Sequence, residues 1–320
     1  MKRSNKTVTT RSLSVVVPVY HGEPFLEELA SRLAAALPKL CSNYEVIFVN
    51  DCSPDKSWQV ITALAKEYPW VHGIDLMRNY GQHNATLCGI HAAQYDTVVT
   101  MDDDLQHQPE DIHLLLEKMD EGYDVVYGAP RKLPQGLFRN LATWLTKTLM
   151  ASVMNIPSVR HISAFRAFKT NLREAFANFQ NPNVIIDVLL SWGTTRFTYT
   201  YVDIQDGSHR KSTYSLSTLV KITMQILTGY STAPLRFASL LGIFIALIGA
   251  IILVYIFVIY FTVGSIPGFP FLASIITVFS GVQLFTLGIF GEYLAHIFDR
   301  SMDRPTYIIS ESTRNKESGS

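Results

Sequence analysis

The first two hundred residues alternate short apolar runs with stretches of helical period. Leu13–Val19, Tyr44–Asn50, Val71–Leu76, Thr97–Met101 and Asp124–Tyr127 are β-rich runs that predict strands. Between them, segments such as Pro24–Leu40 and Pro109–Glu121 repeat apolar residues at helical spacing and open with proline or acidic residues, as first turns do. This order predicts an α/β domain in which helices cover a parallel sheet. Ligands of such sheets bind beyond the carboxyl ends of the strands, which is where the chemistry is expected.

The pattern changes after Arg236. From Phe237 to Gly291, 55 residues pass without Asp, Glu, Lys or Arg, broken once by the turn formers Gly264-Ser265-Ile266-Pro267-Gly268-Phe269-Pro270. At about 1.5 Å per residue, Phe237–Val263 and Phe271–Gly291 each reach across a hydrocarbon core of about 30 Å, so a hairpin of two transmembrane helices is expected. A buried hairpin in a large soluble core is the alternative, and helices of that kind seldom exceed about 14 apolar residues. Arg210, Lys211, Lys221 and Arg236 precede the hairpin, Arg300 and Arg304 follow it, and the turn carries no charge. The positive-inside rule then puts both termini and the N-terminal domain in the cytoplasm. Leu216, Leu219, Val220, Thr223 and Leu227 recur at helical spacing just before the first span, which fits either a helix lying in the membrane interface or a core helix. The expected organisation is a catalytic domain over 1–214, an amphipathic segment over 215–234, the hairpin over 235–299 and a tail over 300–320.

Composition narrows the classes. With 27 basic and 27 acidic side chains and 48% hydrophobic residues, the chain is neither a disordered polyelectrolyte nor a basic nucleic-acid binder. Its 17% charged residues fall below the usual share of about 25%, as the uncharged stretch requires. Cys41, Cys52 and Cys88 fit neither a C-x-x-C pair nor an even disulfide framework, so reduced thiols are expected. The N-terminus is basic, but its first apolar run is short and holds Pro18, so no signal peptide is expected. No dinucleotide or P-loop glycine motif occurs, and the histidines show no zinc-protease spacing.

Two strand ends are acidic: Asn50-Asp51-Cys52-Ser53-Pro54-Asp55 and Asp102-Asp103-Asp104-Leu105-Gln106. Residues i and i+2 of an extended segment point the same way, so Asp102 and Asp104 can offer two carboxylates to one hard cation, Mg²⁺ or Mn²⁺. An acidic loop capping the helix that opens near Pro109 is the alternative. Arg131, Lys132, Arg139 and Arg166 supply basic groups that suit phosphate oxygens, although an arginine alone is more often an ordinary solvated surface residue.

Taken together the motifs resemble, over nearly the whole chain, the polyprenyl-phosphate glycosyltransferases of glycosyltransferase family 2, which include bactoprenol glucosyltransferases and dolichol-phosphate mannosyltransferases. The resemblance rests on Ser14-Val15-Val16-Val17-Pro18-Val19-Tyr20, Val49-Asn50-Asp51 with Ser53 and Asp55, Arg78-Asn79-Tyr80-Gly81, and Asp102-Asp103-Asp104-Leu105-Gln106 followed by Pro109-Glu110. It continues through Ser212-Thr213-Tyr214-Ser215-Leu216, Ala233-Pro234-Leu235-Arg236, Gly291-Glu292-Tyr293-Leu294 and Arg304-Pro305-Thr306-Tyr307. The resemblance implies a GT-A, Rossmann-like domain that transfers one hexose-type sugar, with inversion, from a nucleotide sugar such as a UDP-sugar to a polyprenyl phosphate. It implies an integral protein of a bacterial inner membrane that assembles as a homo-oligomer and binds no nucleic acid.

The same resemblance implies the site. Pro18, Tyr20, Val49 and Asp51 correspond to the base and ribose pocket, and Asp102, Asp103 and Asp104 to the segment meeting the diphosphate and its metal. Gln106 corresponds to a residue near the sugar, Arg131 to a phosphate contact, and Arg139 and Arg166 to its partners on the lipid phosphate. Three departures stand out. His21-Gly22 replaces the usual Asn-Glu, leaving Glu23 to take over that contact; Gly207 and Thr213 replace a basic pair for which Arg210 and Lys211 can substitute; and Ala164 replaces an aspartate proposed as base in some relatives. A lipid phosphate is largely ionised at pH 7, with its second pKa near 6, so the reaction does not need that base. Two rival readings are a processive polysaccharide synthase, which would carry a Q-x-x-R-W motif and more spans, and an inactive nucleotide-binding scaffold.

Overall fold

The computed structural model describes residues 11–131, 161–180, 184–204, 233–263, 268–302 and 304–314. The chain divides into two compact units, one of residues 1–213 with 303–320, the other of residues 214–302.

The first unit is an eight-stranded sheet. Its strands are β1 (Ser12–Val19), β2 (Asn43–Asn50), β3 (Val71–Leu76), β4 (Thr97–Thr100), β5 (Val125–Pro130), β6 (Arg166–Lys169), β7 (Phe197–Val202) and β8 (Ile309–Ser312), in the order β7-β5-β6-β4-β1-β2-β3-β8. The helices are α1 (Leu26–Ala36), α2 (Ser57–Glu67), α3 (Gln82–Ala92), α4 (Ile112–Asp120) and α5 (Ile186–Gly193), with 3₁₀ turns at Leu37–Lys39, Pro109–Asp111 and Thr170–Phe176. The central pairs β1/β2, β1/β4 and β2/β3 are parallel, as is β5/β7. Strands covered on both faces read as continuous apolar runs, which is why Val15, Val16 and Val17 are all fully buried. Leu13, Val15, Val17 and Val19 pack with Leu29 and Leu33 of α1, Ile61 of α2 and Leu115 of α4, whereas Val16 faces α3.

Three strands, β6, β7 and β8, go beyond the sequence expectation. β6 is antiparallel to both β4 and β5, and β8 is antiparallel to β3 at the sheet edge. The segment expected as a free tail therefore supplies a strand through Ile309–Ser312. The helix expected over Pro24–Leu40 is α-helical only over Leu26–Ala36, before Pro38 tightens the chain into a 3₁₀ turn.

β1 forks the sheet. Its register with β2 runs to Val19↔Asn50, but its register with β4 stops at Val16↔Thr100. The Val16 carbonyl accepts the Met101 N–H at 3.1 Å, while the Val19 carbonyl turns the other way to accept the Asp51 N–H at 2.9 Å. Pro18 directs its main chain to the same side as Val16 and has no N–H to donate, so pairing with β4 ends there. The connection order reverses at this point, from β2 and β3 on one side to β4 on the other, and the crevice opens between them.

The second unit contains α6 (Ala233–Val263) and α7 (Phe269–Ser301), which meet where Phe279 lies 3.1 Å from the space a Cβ on Gly249 would fill. Both are apolar on their outer faces, with Leu240, Phe244, Leu247, Ile251, Leu284 and Leu287 exposed. Among the described residues one helix, through the window Val278–Ala295 of mean hydropathy 1.3, is long and apolar enough to cross a membrane. That window begins later than the expected second span, and Pro234–Gly249 is a shorter apolar helical segment. Residues 215–232, expected as the interfacial helix, lie outside the described residues.

Candidate active site

A cavity of about 260 Å³ sits at the fork, lined by Pro18, Val19, Tyr20, Asp51, Asn79, Gly81, Gln82, Asp102, Asp103 and Asp104. Four strand ends contribute: β1 gives Pro18 to Tyr20, β2 gives Asp51, the exit of β3 gives Asn79 and Gly81, and the exit of β4 gives the three aspartates. Tyr20 is two-fifths exposed, with its ring edge-on to His21 at 4.5 Å between centroids.

The carboxylates have distinct tasks. Asp51 is buried and both its oxygens accept main-chain N–H groups, from Tyr80 at 2.7 Å and Gly81 at 2.8 Å. Burial raises its pKa and those two bonds work against the rise. Asp103 is also buried and accepts the Tyr20 N–H at 3.2 Å, tying the β4 exit to the β1 exit. Asp102 accepts the Gln82 amide at 2.6 Å, and Asp104 accepts the Gln106 N–H at 3.2 Å and its side-chain amide at 2.9 Å. Gln106 is thus an orienting partner of Asp104.

The backbone at the rim is strained. His21, Cys52 and Leu105 are the non-glycine residues with positive φ among the described residues, at 56°, 52° and 59°. Each directly follows a pocket residue, Tyr20, Asp51 or Asp104. Left-handed backbone costs a side-chain-bearing residue roughly 1–2 kcal/mol, and such positions gather at functional sites.

Several expected residues lie elsewhere. Val49 is fully buried in β2, in register with Pro18, and supports the cavity from the core. Glu23 uses its carboxylate to accept the Lys56 N–H at 3.0 Å, at the start of α2, and does not line the cavity. Arg131 is exposed at the end of β5, its Nε 3.2 Å from Asp203. Arg166 is buried on β6, where Nε donates to Thr100 Oγ1 at 3.1 Å and the guanidinium pairs with Asp187 of α5. Asp187 also accepts the Tyr127 hydroxyl at 3.0 Å, so the charge of Arg166 is already balanced inside the protein. Arg139, Arg210 and Lys211 lie outside the described residues.

Sequence reasoning missed Asn79 and Gln82 as cavity residues, although Asn79 stands in a quoted motif. His107, which reads in the sequence as an ordinary polar position, lies outside the cavity lining; it is buried, stacked on Phe165 with ring centroids 5.1 Å apart, and has no partner for Nδ1 among the described residues. Burial pushes its pKa down to about 4, against the pull of nearby Asp104.

The lining decides what can bind. Among the described residues it holds four carboxylates and no lysine, arginine or histidine. An anion such as a diphosphate enters only with positive charge brought from elsewhere. Among the described residues no three acidic, histidine or cysteine side chains converge as a ready cation cage. Mg²⁺ is ordinarily held by one or two carboxylates together with substrate phosphates, so an all-oxygen pair such as Asp102 and Asp104 fits that ion.

Comparison with known proteins gives the family. Residues 14–179 match the model of the family described as Glycosyl transferase family 2. The chain is 34% identical over 307 residues to the undecaprenyl-phosphate 4-deoxy-4-formamido-L-arabinose transferase of Aeromonas hydrophila, covering 95% of this chain and 94% of that one. It is 32% identical over 304 residues to the uncharacterized glycosyltransferase YkcC of Bacillus subtilis, covering 93% of each. Among solved structures, the glucosyl-3-phosphoglycerate synthase of Mycobacterium tuberculosis shares the fold, with a TM-score of 0.50 at 18% identity, over 71% of this chain and 84% of that one. The mostly parallel sheet with its acidic exit from β4 is thus a GT-A-like fold, and the chain belongs to glycosyl transferase family 2.

Proposed function

We propose that this protein transfers one sugar, with inversion, from a nucleotide sugar to a polyprenyl phosphate at the cytoplasmic face of a membrane. The observation that carries the reading is the cavity at the fork of β1 and β4, in a chain similar along almost its whole length to an undecaprenyl-phosphate sugar transferase. Tyr20, Asn79 and Gln82 form the wall for the nucleoside, and Asp102 and Asp104 hold a divalent cation. That ion, when bound, neutralises charge on the departing nucleoside diphosphate. Asp103 and Gln106 keep the segment in place from either side.

The acceptor needs no base from the protein. Its phosphate monoester is largely ionised at pH 7, in keeping with Ala164 where some relatives have an aspartate. Arg131 and Arg139 align that phosphate for in-line attack on the anomeric carbon, and the bond to the diphosphate breaks as the new one forms. Arg166, paired with Asp187, serves by holding the end of β4 against β6 and α5. The apolar helices α6 and α7 cross the bilayer as a hairpin, with 1–214 and 300–320 on the cytoplasmic side, and keep the enzyme where its lipid substrate resides. A homo-oligomer is expected.

The test is an extraction assay. Full-length protein in membranes, given Mg²⁺, undecaprenyl phosphate and a panel of labelled donors, is expected to move label into organic solvent from one of them. The panel includes UDP-hexoses and nucleotide-linked 4-deoxy-4-formamido-L-arabinose, the sugar in the names of the relatives. Absence of lipid-borne label with every donor sinks the reading.

A further inference from the structure

Residues 304–314 fold back onto the sheet at an informative place. The Ile308 carbonyl accepts the Met77 N–H at 2.9 Å, at the residue where the chain leaves β3. β8 then pairs with β3, and Thr313 holds Gly73 twice, with its hydroxyl accepting at 2.8 Å and its N–H donating at 2.9 Å. Tyr307, half-buried, hydrogen-bonds through its hydroxyl to His91 Nδ1 at 2.9 Å in the last turn of α3. Arg314 pairs with buried Glu45 on β2 and reaches the Ala92 carbonyl at 3.4 Å. The segment therefore grips the exit of β3 and the end of α3, the two elements between which loop 77–81 is strung.

That loop forms one wall of the cavity. Asn79 and Gly81 line it, Tyr80 and Gly81 donate to Asp51, and Gln82, the first residue of α3, holds Asp102. α3 is a single helix of 11 residues, so fixing its last turn orients its first. We infer that residues 304–314 are a positioning element of the donor pocket, with Tyr307 as the positioning residue that sets α3 and loop 77–81 against Asp51 and Asp102. The inference rests on the donor reading of the cavity given above.

Two variants of the full-length chain test it, Tyr307→Ala and Tyr307→Phe. Backbone hydrogen exchange at residues 77–81, measured without any substrate, is expected to accelerate in Tyr307→Ala while β1 keeps its protection. Donor KM is then expected to rise about tenfold with kcat and acceptor KM within about twofold, the pattern of lost ground-state binding. Tyr307→Phe, which keeps the ring and loses only the hydroxyl bonded to His91, is expected to show both effects in the same direction. If Tyr307→Ala does not fold, Tyr307→Phe decides, with a smaller change in the same two quantities. Unaltered exchange at 77–81 overturns the inference, as does faster exchange with donor KM unchanged, which would make the segment a mere cover of the sheet edge. Wild-type protein that binds no UDP and transfers no sugar overturns the function proposed above instead, and the exchange arm is read independently of it.

Discussion

A Cβ atom on Gly22 would lie 2.6 Å from Asp103 Oδ2 and 2.7 Å from Val19 Cγ1, so the turn after β1 and the acidic exit of β4 compete for one space. The Gly22 N–H is meanwhile donated to Ser57 Oγ at 3.1 Å. A side chain here must displace the carboxylate that receives the Tyr20 N–H. Gly22→Glu is therefore expected to weaken UDP binding by about tenfold and to cost about 1–3 kcal/mol of stability, as overpacking does. Calorimetry and a melting curve check this, and a variant that binds UDP as well as wild type refutes it.

Removing one charge of the Arg166–Asp187 pair strands the other in the interior. Arg166→Ala is expected to cost about 3–5 kcal/mol, whereas Arg166→Met combined with Asp187→Leu recovers most of it, because neither charge is left alone. Denaturant titration of the three proteins measures the difference. Equal loss in the single and double variants would show that the pair's packing, not its charge, holds β6.

Asp104→Asn is expected to lower kcat by about a hundredfold or more in the presence of Mg²⁺, as loss of a cation ligand beside a departing diphosphate requires. Chelation of the wild-type protein should mimic it, and metal should rescue only the wild type. Full activity of the variant in excess chelator contradicts the assignment.

Arg131 is exposed and only loosely engaged by Asp203. A charge-assisted hydrogen bond to phosphate contributes about 1.5–3 kcal/mol, so Arg131→Ala is expected to raise acceptor KM about tenfold or more, leaving UDP affinity unchanged. A fall in UDP affinity with unaltered acceptor KM would move Arg131 to the donor site.

His107 makes the fold acid-sensitive. Its folded pKa of about 4 lies below the ordinary histidine value near 6.5, so its contribution is present above pH 6.5 and is lost as pH falls toward 4. Between pH 7 and pH 5 the expected loss is about 2 kcal/mol, and His107→Phe, which keeps the stack on Phe165, should flatten that part of the profile. Urea titrations at the two pH values decide, and parallel pH profiles for both proteins rule the histidine out.

The first five strands were legible because each carries a β-rich core, apolar on both faces in Val15–Val17 and Val46–Val49. β7 was not read as a strand, and β6 and β8 could not be, since Arg166–Lys169 carries charge at both ends and Ile309–Ser312 is polar at three successive positions, so that each four-residue strand is formed by the partners it pairs with. The acidic strand ends were legible as a site, but their division of labour was not. Asp51 looks like a ligand contact in sequence, yet its oxygens go to a loop 29 and 30 residues away. Arg166 looks like a free cation until Asp187 arrives from 21 residues downstream. The strained rim left no trace, because His21, Cys52 and Leu105 are not glycines.

The fork at Pro18 is made by main chain alone: which carbonyl faces which neighbour, and one nitrogen that cannot donate. Its opening is therefore a property of the frame, whereas Tyr20, Asn79 and Gln82 are furnishings standing in it. On the function proposed above, exchanging those side chains is expected to alter which sugar nucleotide fits without touching the main-chain bonds that hold β1 to its neighbours. Donor choice is then expected to vary through side chains that the frame does not need, so that a change of substrate need not pass through an unstable protein.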